Sequence, residues 1–389
     1  MPSPSQSRDL RLDFFRGVSL ILIFIDHIPE NVLAYFTLPA ATFFDAAEVF
    51  IFISGFTTAL VYGRRLAAKG ALYMTAQVFR RAWQLYVAHV FLFVMFIAEV
   101  SYTVMTFNNP MYNEEMRVAD FLGEPHVAVV KALLLQFQPT FLDILPLYIL
   151  MLAIFPFILL GLRLRPALVL IPSFLVYAAV QIFVISVPAY PEGHVWYFNP
   201  LAWQFLFVAG AALGYRAWLG GADLPASWAK PALAVAAGAT IGLTIIKLSW
   251  TIHGVWDSFP GLFLRELWPV NKNNLAPLRL LAFFAAVLLV AERVPPQARF
   301  LTARAARPLL LCGRHSLEIF CLGILLSALG HFLLTEYESG VAMQFVVNIV
   351  GVIVMFAVAK IIDWYRTMES MPLAQSSATA SGAGGGRSR

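Results

Sequence analysis

The sequence predicts an all-α integral membrane protein of about ten transmembrane helices with both termini cytoplasmic, and three observations carry that expectation. Of 389 residues, 60% are hydrophobic and only 13% charged, and the mean hydropathy is +0.75. Soluble domains carry about 25% charged residues. Apolar runs long enough to cross a bilayer, about 20 residues each, recur along the chain. The basic residues between them alternate in density from one connection to the next, the imprint left by positively charged cytoplasmic loops.

The runs fall at about 12–30, 44–62, 80–106, 141–161, 166–187, 199–218, 231–251, 276–292, 308–334 and 341–364. With the N-terminus inside, nineteen of the 27 Lys and Arg residues sit in or beside cytoplasmic connections. Only Arg117, Lys131, Arg265 and Lys272 fall outside, and Arg16, Lys247, Arg279 and Arg314 lie within spans. The expected organisation is a cytoplasmic N-terminus at 1–11, a polytopic membrane domain at 12–366 and a cytoplasmic tail at 367–389. The end of the tail is rich in Ser, Ala and Gly, a composition expected to be disordered. The longest outer connection, about 107–140, carries Glu114, Glu115, Asp120 and Glu124 and reads as a short cap over the membrane face. The first span lacks a small-residue cleavage site and has Asp26, His27 and Pro29 in its place, so it is expected to stay in the protein.

Composition also excludes classes. The pI of about 9.2 reflects basic residues dispersed between apolar spans rather than a nucleic-acid surface. No CxxC, P-loop or GxGxxG-type loop occurs. Cys312 and Cys321 share one apolar stretch with neither zinc spacing nor a disulfide framework, and read as packing residues. The chain has no convincing internal repeat, which weakens an inverted-repeat transporter reading.

Against that apolar background, RDLRLDFFRGVSLILIFIDH at 8–27 stands out. A titratable group in hydrocarbon costs a few kcal/mol or more and marks function by default. Arg16 and His27 are separated by a helical rise of about 16 Å, roughly half the hydrocarbon thickness. Arg16 then lies in the inner half and His27 near the outer boundary. The second span starts at that same boundary with Asp45 and Glu48, three residues apart on one helix face. A carboxylate beside a histidine orients it as a general base and stabilises the imidazolium that forms. The same residues equally describe an interfacial ion pair joining two helices. Asp26 is a weaker partner for His27, because adjacent helical residues point about 100° apart. Asp13 and Arg16, three apart, read as a structural pair, with ligand contact by Arg16 as the alternative.

Two further clusters follow from depth. On the outer side lie Asp143, Lys247, His253, Asp257, Arg265, Lys272 and Arg279 with Trp196, Trp203, Trp250, Trp256 and Trp268. Aromatic faces beside charged groups suit a sugar, although tryptophans at this depth also form interfacial belts. On the inner side lie Arg80, Arg81, Arg163, Arg165, Arg304, Arg307, Arg314 and His315, mostly explained by topology. Arg314 and Glu318 have the four-residue spacing of a same-helix pair. His89, Glu99 and His331 are single polar residues in spans, of the kind that hydrogen-bond between helices.

Arg16, ten residues and then His27 resembles the Arg/Lys-x10-His motif of the acyltransferase-three superfamily of membrane acyltransferases. More closely, RDLRLDFFRG at 8–17, IDHIPEN at 25–31, FDAAEVFIFISGF at 44–56, FLDILPLYIL at 141–150, FNPLAWQFLFVAG at 198–210, NNLAPLRLLAFFA at 273–285 and GRHSLEIFCLG at 313–323 resemble the OpgC group. Members of that group succinylate osmoregulated periplasmic glucans. The resemblance implies about ten spans, His27 as the catalytic histidine, Arg16 supporting donor binding, and Asp45, Glu48 and Arg279 lining the site.

The resulting expectation is a multi-pass acyltransferase of the bacterial inner membrane. It would move an acyl group, succinyl favoured, from cytoplasmic acyl-CoA (succinyl-CoA or acetyl-CoA) to hydroxyls of a periplasmic glucan or related glycan. His27, Asp45 and Glu48 are the expected catalytic residues. Arg16, Arg80, Arg81, Arg163 and Arg314 are expected on the donor side, and Asp26, Arg279, Lys272, Trp203 and Trp250 on the acceptor side. Acyl-CoA is a co-substrate, and the scheme calls for no permanently bound cofactor, metal or nucleic acid. The rival from another class is a proton-coupled transporter or flippase for a glycan or lipid-linked sugar, with His27 and the acidic pair as its proton relay. A third reading is a non-catalytic membrane subunit of a glucan assembly.

Overall fold

The computed structural model describes residues 9–221, 226–251 and 270–370. His253, Trp256, Asp257, Arg265, Trp268 and the tail from 371 lie outside the described residues. Among the described residues the protein is all-helical, with isolated β-bridges only between Phe137 and Tyr190 and between Pro188 and Val195. The principal helices are α1 (Leu10–Asp26), α2 (Ala46–Phe107), α3 (Ile144–Leu164), α4 (Ala167–Phe183), α5 (Pro200–Trp218), α6 (Ala226–Thr251), α7 (Pro277–Arg293), α8 (Arg307–Arg314), α9 (Ser316–Glu336) and α10 (Val341–Ser370). By length and apolarity, five of the described helices can cross a membrane: Ala46–Phe107, Ile144–Leu164, Ala229–Trp250, Ser316–Glu336 and Val341–Glu369.

Two apolar runs meet in α2. Its 62 residues would rise about 93 Å as one rod, three times the hydrocarbon thickness of about 30 Å. Gly70, at φ 81° and ψ 175°, interrupts it, in a region of backbone space that glycine enters without steric cost. Tyr62 Oη donates to the Gln77 carbonyl at 3.3 Å, although fifteen residues of continuous helix would separate them by about 22 Å. The chain therefore doubles back at Gly70, and the arms 46–69 and 71–107 run side by side.

The run at 308–334 behaves differently. It divides at His315 into α8 and α9, so Arg314 and Glu318 do not share a continuous helix. The expected same-helix pair is replaced by two others. Arg314 Nε faces Asp13 at 3.9 Å, and Glu318 accepts from Arg366 on α10.

Close helix crossings hold the bundle together. A Cβ at Gly17 would overlap the Leu309 carbonyl oxygen, and one at Gly313 would overlap that of Asp13. The backbones of α1 and α8 thus touch. The same is true of α2 and α5, where Gly210 and Gly214 face the Phe52 and Phe56 carbonyls, the small-xxx-small spacing of close membrane-helix pairs. Gly313→Val is expected to cost about 1–3 kcal/mol through overpacking and to lower the thermal unfolding midpoint of the detergent-purified protein. An unchanged midpoint would mean that the crossing tolerates a side chain.

One end of this bundle gathers the C-terminus of α1 and the N-termini of α2 and α7. The segment 270–276 is fastened there from two sides. Trp203 Nε1 on α5 donates to the Lys272 and Asn273 carbonyls at 3.2 and 3.1 Å. From α4, Tyr177 Oη donates to the Leu275 carbonyl at 2.8 Å and Gln181 Nε2 to that of Asn274 at 2.7 Å. Asn199 caps α5 through the Leu201 amide and also binds Asn274 Oδ1 at 2.9 Å.

Candidate functional site

The N-terminus of α2 is a capping box: Asp45 Oδ1 accepts from the Ala47 amide at 2.8 Å, and Glu48 Oε2 accepts from the Asp45 amide at 3.0 Å. Each carboxylate divides its oxygens between the cap and a cation. Asp45 Oδ2 takes Lys272 Nζ at 2.7 Å and Arg279 Nη2 at 3.2 Å. Glu48 Oε1 takes Arg279 Nε at 2.6 Å. Arg279 stands in the first turn of α7, where the helix dipole disfavours a cation. Its two acidic partners are the reason it can stay there. Glu48 is 0% exposed, so this is a buried network of two anions and two cations.

His27 caps the C-terminus of α1, and its ring lies edge-on to Phe141 with centroids 4.5 Å apart. The Lys272 and Asp45 charges both act on it. It makes no hydrogen bond to Asp45 or Glu48, and its Nδ1 is buried without a hydrogen-bond partner. This corrects the expected orientation of His27 by either acid: all four carboxylate oxygens are already committed to the cap and the cations. Asp26 belongs to the same region. It accepts from Thr37 Oγ1 at 2.6 Å and lies within the fields of Asp45 and Lys272. Burial works against the charge of Lys272, yet the Asp45 carboxylate beside it holds its pKa above the ordinary lysine value. Lys272 is therefore a fixed cation near His27.

The two tryptophans expected on the acceptor side do other work. Trp203 is 0% exposed; its ring packs on Phe198 and its N–H holds the segment bearing Lys272, so no sugar can stack on it. Half-buried Trp250 packs edge-on against Phe43 at 5.0 Å, at the edge of the core.

Toward the other end of α1, Arg16 Nη2 donates to Thr57 Oγ1 at 2.7 Å and to the Ile53 carbonyl at 3.3 Å. It lines a cavity of about 210 Å³ with Arg81, Ser54, Tyr62, Tyr148 and Ser316. Of the expected donor-side cations, Arg16 and Arg81 come together. Arg80, the next residue along from Arg81, is exposed and points about 100° away. Arg163 is exposed in the last turn of α3, and Arg314 is turned toward Asp13. None of these three lines the cavity.

Of the single polar residues, His331 pairs with Glu115 at 3.0 Å, whereas both His89 ring nitrogens are buried without a hydrogen-bond partner. Asp143 reads along the chain only as a member of the outer-side cluster, and Arg117, Tyr190 and Tyr197 are not among the expected site residues, yet all four line one cavity, and Tyr197 lies under Lys272. The D-x-x-E pattern at 45–48 was an available signal for the capping box. Nothing local marks a partner for Asp143.

This is a buried acid–base network beside a histidine, at one end of a bundle of membrane-length helices. The profile of the family described as OpgC protein matches residues 8–367, and the chain belongs to that family. No curated protein matches it.

Proposed function

We propose that this protein is a multi-pass O-acyltransferase of the bacterial inner membrane, with ten spans, both termini cytoplasmic and its membrane domain at 12–366. It moves an acyl group, succinyl favoured, from cytoplasmic acyl-CoA to a hydroxyl of a periplasmic glucan or related glycan. The observation that carries this reading is the two-ended α1. His27 stands at one end beside a fixed Lys272 cation, and Arg16 stands toward the other in a cavity shared with Arg81. Membership of the OpgC family supports it.

In this scheme Arg81 and Arg16 meet the phosphates and the arm of acyl-CoA, and the thioester reaches His27 along α1. The neutral His27 imidazole takes the proton of a sugar hydroxyl as its oxygen bonds to the thioester carbonyl carbon. The carbonyl oxygen becomes anionic, and Lys272 is the cation placed to stabilise it. The C–S bond then breaks, the carbonyl re-forms, and the imidazolium returns its proton to the departing CoA thiolate. Asp45 and Glu48 act through Lys272 and Arg279 and do not touch the base.

The test is mass spectrometry of periplasmic glucans from cells carrying the wild-type protein, His27→Ala at equal abundance, or neither. An acyl mass increment confined to the wild type is expected, and its size names the donor group. The same increment with His27→Ala would remove His27 from the chemistry. No increment in any strain would favour the glycan transporter or flippase.

A further inference from the structure

A second polar cavity adjoins the histidine site on its outer side. It has a volume of about 250 Å³ and is lined by Arg117, Gln138, Asp143, Tyr190, His194 and Tyr197, among others. Its walls are tied by backbone bonds: Tyr190 N donates to the Gln136 carbonyl at 2.8 Å, and Ala189 N to that of His194 at 2.9 Å. A shallower cavity of about 630 Å³ shares Tyr190 and Asp120 with it and runs on past Glu124 and Lys131. The two share a wall at 119–120 and 189–191 and together are termed a trough.

Asp143 is the unusual member. It holds the N-cap position of α3, where an aspartate ordinarily accepts from its own helix, but its side chain makes no cap bond. It is 8% exposed, and Oδ1 is buried with no hydrogen-bond partner. A buried polar atom without a partner is costly, and Asp143 is one of the residues lining the cavity. Arg117 and Lys272 supply the opposing charge.

Two links join the trough to the acid–base network. Phe141, two residues before Asp143, packs on His27. Tyr197, in the wall, lies under Lys272 Nζ with 5.7 Å to its ring centroid, and Lys272 is bound to Asp45. The lining combines tyrosine rings, a free carboxylate acceptor, an amide and one arginine, with Glu114, Asp120 and Glu124 alongside. That acidic balance repels a polyanion such as CoA. A neutral chain of hydroxyls and C–H faces suits it.

We propose that this trough is the acceptor subsite, binding successive sugar rings of a neutral glucan, with Asp143 accepting from a sugar hydroxyl and Tyr190 offering a ring face at the junction of the two cavities. The assignment rests on the acyltransferase reading for the identity of the ligand. The test measures binding of purified, base-deacylated periplasmic glucan to the full-length protein in lipid nanodiscs, together with acyl transfer. Tyr190→Ala and Asp143→Asn are each expected to weaken glucan binding roughly tenfold, equally in the wild-type and His27→Gln backgrounds, with acyl-CoA affinity unchanged. Unchanged glucan affinity in both variants, or no glucan binding by the wild type, overturns the proposal. Should Asp143→Asn lower the yield of folded protein, half-buried Tyr190 decides alone. Trough-dependent binding without any acyl transfer keeps the subsite and removes the acyltransferase reading. Transfer that ignores both substitutions does the reverse.

Discussion

His27→Gln is expected to lower acyl transfer by roughly 10²–10⁴-fold, the contribution of a positioned general base, while leaving thermal unfolding of the purified protein unchanged. The asymmetry follows from the contacts of His27. Its ring touches Phe141 and makes no side-chain hydrogen bond among the described residues, and Nδ1 is buried without a partner. Glutamine keeps a polar tip of similar reach and breaks nothing. The measurement is product mass from nanodisc-embedded protein, acyl-CoA and deacylated glucan, alongside a melting curve. Full activity in His27→Gln would rule out proton transfer at this residue. A large drop in the melting midpoint with a matching loss of activity would make the histidine a packing residue.

Arg279→Met is expected to be the most damaging substitution for the fold, at about 3–5 kcal/mol, because it strands buried carboxylates without their cation. Glu48 has no exposure to solvent, and among the described residues Arg279 supplies its only ion pair. Asp45 keeps Lys272, so the loss falls mainly on Glu48. The check is the yield and melting midpoint of the purified protein. The double variant Glu48→Leu with Arg279→Met separates two roles. Replacing both partners of a buried pair by apolar groups is often neutral or stabilising, so its melting midpoint should return toward that of the wild type. Activity that returns with it would make the pair purely structural. Stability without activity would place Arg279 in the alignment of Lys272 and His27. A wild-type midpoint in Arg279→Met alone would contradict the buried-network account.

The role of the acidic pair shifts accordingly. Read along the chain, Asp45 and Glu48 on one helix face look like partners for His27. In the folded protein they close the capping box of α2 and hold Arg279 and Lys272. The Lys272 and Asp45 charges both act on His27 across space, and neither acid reaches it by a hydrogen bond.

Membrane-length helices follow from local information, and that is why they are legible in the amino-acid sequence. A run of apolar residues has one stable state in hydrocarbon, a helix with its own backbone bonds satisfied. Ile144–Leu164 and Val341–Ser370 accordingly lie where the apolar runs are. The weight of residues 8–27 and the importance of His27, Asp45, Glu48, Lys272 and Arg279 are legible for the same reason, since charge near hydrocarbon is conspicuous. Partnership is another matter. Arg279 meets Glu48 across 231 positions, and Arg314, from another helix, faces Asp13. Trp203 looks like an interfacial aromatic until its N–H is found holding the Lys272 segment. Asp143 reads along the chain as one more outer-side charge, and only the fold shows it at an N-cap position without a cap bond, lining a cavity. Composition and hydropathy determine which segments are helices, because that energy is counted residue by residue. Which charges meet, and which are left to meet a ligand, is decided only when distant helix ends pack together, because electrostatic pairing depends on separation in space.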